Sequence, residues 1–147
     1  MTIFESLRAD HDIQRTLVDL LVKTQGDSEG RNELFGRLRR ELLAHAGAEE
    51  RYFYIPLMEH DLTQEAARHS IAEHKELDDY LERLDDLEMS EAEWLKTAKD
   101  LSDRLLHHLA EEESEIFPVA GKALGEGQKT ALGDDYMDDM ERRRSDS

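Results

Sequence analysis

Apolar residues recur every three or four positions over most of the chain, the spacing of one helix face at 3.6 residues per turn. No Val/Ile/Thr stretch alternates as a strand would. Thr2 with Glu5 forms a capping box opening a first helix that runs to about Thr24, before the breaker Gly26–Gly30. A second helix follows from about Arg31 to Glu59. Thr63 is placed to cap a third helix reaching about Glu88, and Ser90 with Glu93 makes another capping box opening a fourth toward Leu124, closed by Gly125 and Gly127. From Gln128 to about Arg143 a weaker amphipathic segment, interrupted by Gly133 and Asp134-Asp135, predicts a short packing helix, and the terminal RRRSDS is expected to fray. Four long helices and short loops predict an all-α, antiparallel up-down-up-down four-helix bundle with a short C-terminal helix, one domain over residues 1–147.

The inward stripes of such helices meet on one axis, and four of the seven histidines lie on them. The first helix places His11 among Phe4, Leu7, Val18 and Val22, and the third places His74 among Ala67, Ile71, Leu77 and Leu81. On the second helix Leu34, Leu38, Leu42, His45, Glu49 and Tyr52 share a face; on the fourth, Trp94, Ala98, Leu101, Leu105, His108, Glu112, Ile116 and Val119 do. His69, with Glu65 and Glu76, and His107, with Asp100, Arg104 and Glu111, fall on polar faces, and His60 has no assigned direction.

A lone histidine on an apolar face is ordinarily a hydrogen-bonded core residue. Two His-x-x-x-Glu pairs change the picture, because a buried carboxylate is expensive unless it is paired or coordinates a metal. Residues four apart share a helix face, so imidazole and carboxylate reach one ion, and four such helices can surround two. The alternative is that Glu49 and Glu112 lie at the edge of the stripe, in water.

Composition narrows the chemistry. Cysteine is absent, so any metal is held by nitrogen and oxygen, which fits a cytoplasmic location. A net charge of −17 opposes phosphate backbones, and the one basic cluster, Arg142 to Arg144, is short, so no nucleic-acid partner is expected. The apolar runs are too short to span a membrane, and MTIFESLRADHD carries acids where an export signal has a basic start and an apolar middle. Protein partners are left unknown.

The segments HAGAEERYFYIP at His45–Pro56 and HLAEEESEIFP at His108–Pro118, with Asp10-His11 and Glu73-His74, resemble the hemerythrin-like HHE cation-binding family over nearly the whole chain. The resemblance implies two iron ions with an oxo or hydroxo bridge, His11, His45, His74 and His108 as terminal ligands, and Glu49 and Glu112 as bridging or chelating ones. The chain departs from the oxygen-carrying hemerythrins in two places. Ser70 and Asp78 flank His74 where those proteins have a second histidine, and Glu113 stands where they have an aspartate ligand, which makes it an alternative to Glu112. Asp78, water or hydroxide is left to fill the missing position.

Histidine and carboxylate suit iron, manganese, zinc or copper alike, and the resemblance selects iron. Two metals about 3.5–4 Å apart can share a bridging oxygen and take a small ligand at an open position. Asp12, Glu73 and Asp78 are candidates for orienting the imidazoles through their N–H groups. The implied functions are binding or sensing of dioxygen, nitric oxide or peroxide, with peroxide decomposition by an enzyme or iron buffering as alternatives.

Overall fold

The computed structural model describes residues 1–146 and is all-helical among them. Helix α1 spans Ile3–Val22, α2 Glu29–Glu49, α3 Ile55–Met58, α4 Gln64–Asp86, α5 Ala92–Glu111, α6 Phe117–Ala123 and α7 Glu126–Ser145. Short π-helical segments, Glu50–Tyr54 and Glu112–Ile116, join α2 to α3 and α5 to α6, so each pair runs on as one long helix. The four long arms form the expected bundle: α1 packs on α2 and α5, α4 on α5 and α2, and α7 lies across α1 and α2.

The Thr2–Glu5 capping box is present. The second is not: α5 starts one residue late, with Glu91 at its N-cap and no side-chain cap, while Glu91 and Trp94 amides bond back to turn carbonyls instead. Thr63 stands at the N-cap of α4, but its hydroxyl donates to the Leu57 carbonyl at 2.7 Å and caps nothing.

Each π segment ends two residues before a proline, Pro56 or Pro118. Proline cannot donate to the carbonyl four residues back and its ring crowds that carbonyl, a conflict that a wider turn relieves. The amides of Ile55 and Phe117 accordingly reach five residues back, to the carbonyls of Glu50 and Glu112. The wider turn also shifts the register. Tyr54, rather than the expected Tyr52, is fully buried, and Phe117 and Ala120 pack inside where Val119 was expected.

The C-terminal helix is longer than expected, and Gly133 does not interrupt it. The N-terminus crosses α7 there so closely that a Cβ on Gly133 would lie 2.3 Å from the Met1 carbonyl oxygen. Nor does the helix fray through its arginines: Arg143 donates to Asp139, and Arg144 donates to Asp10 and Glu41. No helix among the described residues is long and apolar enough to cross a membrane.

Buried apolar residues form two clusters, one with Ile3, Leu7, Phe53, Tyr54, Phe117 and Tyr136, the other with Leu17, Leu38, Leu81, Trp94, Leu101 and Leu105. His11, His45, His74 and His108 occupy the polar layer between them.

Candidate metal centre

The four inward histidines, Glu49 and Glu112 are all buried, the two glutamates with no exposed surface at all, which removes the alternative that they sit in water at the stripe's edge. His11, His45, Glu49 and Glu112 offer donor atoms within 4.8 Å of one another, and so do Glu49, His74 and His108. Glu49 belongs to both groups: its Oε1 lies 3.4 Å from His45 Nε2 and 3.0 Å from His74 Nε2. Glu112 spans the same gap, with Oε1 3.1 Å from His11 Nε2 and Oε2 4.0 Å from His108 Nε2. The histidines thus form two pairs, His11 with His45 and His74 with His108, and a carboxylate stands between the pairs on either side.

Every one of these rings is fixed at Nδ1. That nitrogen stands 2.7 Å from Glu113 Oε2 in His11, 2.9 Å from Glu73 Oε1 in His108, 3.3 Å from Glu50 Oε1 in His74 and 2.6 Å from the Tyr136 oxygen in His45. Tyr136 donates its own proton to Asp10 Oδ2 at 2.5 Å, so its oxygen accepts from His45. Burial, then Asp10, push the Tyr136 phenol well above its usual range, which keeps it a donor. With Nδ1–H donating to an acceptor, a ring in its neutral form turns the lone pair of Nε2 inward, the arrangement of metal-bound histidine.

The inner atoms lack conventional partners. Nε2 of His11, His45 and His108, both oxygens of Glu49 and Oε1 of Glu112 are buried without a hydrogen bond, although several lie at close range to one another. Buried polar atoms are ordinarily satisfied, and so many orphans at one point indicate a missing charged group. The carboxylates point the same way. Burial and the neighbouring Glu49 charge push the Glu112 carboxyl well above its usual range, whereas for Glu49 the same burial is outweighed by His45 and His74, which hold it well below. A cation between the two would favour the ionised form of both. Four imidazoles and two carboxylates therefore fit a pair of metal ions.

Sequence reasoning assigns no role in the site to Tyr54, Glu50, Tyr136, Asp10 or Arg144. Tyr54 donates from its buried phenol to Glu112 Oε2. Tyr136 and Asp10 hold His45, with Arg144 donating to Asp10 Oδ1 at 2.8 Å. A buried tyrosine in each of two helices was the available signal, and neither motif contains Tyr136. Of the residues expected to orient imidazoles, Glu73 does so; Asp12 is exposed and pairs with Arg15, and Asp78 bonds no histidine. Glu113, weighed as a ligand in place of Glu112, instead accepts from His11 Nδ1 and from Arg15. His107, as expected, is exposed and pairs with Glu111, and His69, also exposed, stands near Glu73 and Glu111.

A family model described as the hemerythrin HHE cation binding domain matches residues 2–120. A protein from Nostoc sp. named a DNA nickase is 27% identical over 128 residues, 87% of this chain but 36% of that protein, so the chain spans about a third of its length. A crystal structure of a hemerythrin HHE cation binding domain-containing protein from Mycobacterium kansasii superposes with a TM-score of 0.90 at 24% identity, covering 99% of this chain and 89% of that one. This likeness extends the shared fold through α7, beyond the residues of the family match. The chain belongs to the hemerythrin HHE cation-binding family.

Proposed function

We propose that His11, His45, His74, His108, Glu49 and Glu112 hold two iron ions, and that the protein binds or senses a small ligand of the dioxygen, nitric oxide or peroxide class there. The observation that carries this reading is the common polarity of the four imidazoles: all are anchored at Nδ1, and all turn Nε2 toward two fully buried carboxylates. When bound, iron supplies a redox couple and an open coordination position. The protein supplies the rest. Glu113, Glu73, Glu50 and Tyr136 keep the rings in one tautomer and orientation, and the leucines and aromatics on either side exclude water.

Space for a ligand is present on one side. A cavity of about 10 Å³, roughly one water in size, is lined by His45, His74 and His108 together with Gln14, Asp78 and Leu105. Asp78, one of the two residues that flank His74 where oxygen carriers have a further histidine, is on its wall, which supports an open coordination position on that side. Nicking of DNA, named for the Nostoc relative, stands outside the reading, because a net charge of −17 opposes a phosphate backbone.

Anaerobic nitric oxide titration and aerobic azide titration of the iron-loaded protein test the proposal. Binding of either alters the near-ultraviolet and visible absorption at stoichiometric ratios. A spectrum indifferent to both ligands contradicts an open position.

A further inference from the structure

Gln14 is a buried amide whose polar atoms are left unpaired. It lies on α1 one turn after His11, between that ring and the buried Leu17 and Val18, with 1% of its surface exposed. Both its amide nitrogen and its amide oxygen are buried without any hydrogen-bond partner. A leucine or methionine would fill the same stripe without the penalty, roughly 1–3 kcal/mol, that an unsatisfied buried polar group carries. Yet the side chain borders the small cavity beside His45, His74 and His108, whose other walls include Leu42, Leu77 and Leu105.

We propose that the Gln14 amide is the specificity-determining group of the ligand pocket, donating an N–H hydrogen bond to the outer atom of a small anion and so favouring anionic ligands over neutral diatomic gases. The inference rests on the metal-pair reading above. The amide is free to turn its NH₂ toward the cavity because neither of its ends would break an existing bond. An anion such as azide keeps negative charge on its far atom, where a donor in a buried pocket whose walls include Leu42, Leu77 and Leu105 is worth more than in water. Nitric oxide enters without a net charge and gains less from the donor. Asp78 is the one carboxylate on the cavity wall, which also carries His45, His74 and His108.

The test compares iron-loaded wild type with Gln14→Leu, and with Gln14→Met as the variant closer in shape should leucine fail to fold. Azide affinity, read from the absorption change, is expected to fall at least about tenfold, the lower end of what loss of a supporting hydrogen bond does at metal sites. Nitric oxide affinity is expected to change less than about twofold, and metal-free Gln14→Leu to melt at or above the wild-type temperature, since the orphaned amide is gone. Equal azide affinity in wild type and both variants, or equal losses for azide and nitric oxide, overturns the assignment. Failure of wild type to bind either ligand contradicts the metal-pair reading instead, so the two failures are distinguishable.

Discussion

The phenolic oxygen of Tyr136 stands 2.6 Å from Nδ1 of His45, across 91 positions of sequence and from a helix beyond the family-matched residues. Through it α7 becomes part of the centre's frame: Arg144 and Tyr136 both donate to Asp10, and Tyr136 accepts from His45. Tyr136→Phe removes the acceptor and leaves a buried N–H without a partner. Retention of metal at the His11/His45 position is expected to weaken about 10–100-fold, and stability to fall by about 1–3 kcal/mol. Metal analysis after dialysis against graded chelator, with thermal melts, checks this; unchanged retention contradicts a role for α7.

The close crossing at Gly133 gives a second expectation. A methyl there meets Met1 and Thr2 backbone atoms at 2.3 and 2.7 Å, and backbone cannot rotate away as a side chain would. Gly133→Ala is expected to destabilise by about 1–3 kcal/mol, as overpacking does, by prising α7 from α1. Chemical denaturation measures it directly.

Adjacent histidines on α5 allow a paired comparison. His108 is buried and turns Nε2 inward, whereas His107 is 61% exposed in its side chain and pairs with Glu111. His108→Ala should lose metal from at least the His74/His108 position and lower the melting temperature, since Glu73 and Glu112 are left uncompensated. His107→Ala should retain the metal pair, with stability within about 0.5 kcal/mol of wild type. The reverse outcome would place Glu111, rather than Glu112, at the centre.

Much of this was legible in the sequence, because helix periodicity is local. Phe4 to Val22, or Trp94 to Ile116, needs no partner to reveal which face is apolar, and His11, His45, His74 and His108 stand out as interruptions of such faces. What escaped depends on contacts between distant segments or on departures from the α period. Tyr136 finds His45 only after α7 folds back, Gly133 reads as a breaker until the N-terminus is seen crossing it, and Glu113 faces His11 across 102 positions. Tyr54 was misplaced for another reason. An unbroken 100° step was carried through a segment that widens before Pro56.

Stability against pH separates the metal-free from the loaded protein. In the metal-free chain burial, with His45 nearby, lowers His11 from 6.5 to about 4. The unfolded chain therefore takes up a proton that folded His11 refuses, and stability falls as pH drops from 6.5 toward 4. His74 goes the other way. Burial opposes its charge, but Glu49 and Glu50 outweigh it and raise the ring to about 9, so its stabilising proton is present below 6.5 and lost as pH rises to 9. The melting temperature of metal-free protein is expected to decline on both sides of about 6.5. With metal on Nε2 no proton is there to lose, and the alkaline decline should disappear. Identical alkaline slopes in the two forms would mean that His74 does not bind the ion.

The central claim is that two ions share Glu49 and Glu112 between two histidine pairs. Its most direct test is to load the purified protein anaerobically with ferrous iron, pass it over chelating resin, and measure iron per chain by elemental analysis beside quantitative amino-acid analysis. Two iron ions retained per chain is the predicted result. Saturation at a single ion, or no retained iron, would contradict the account.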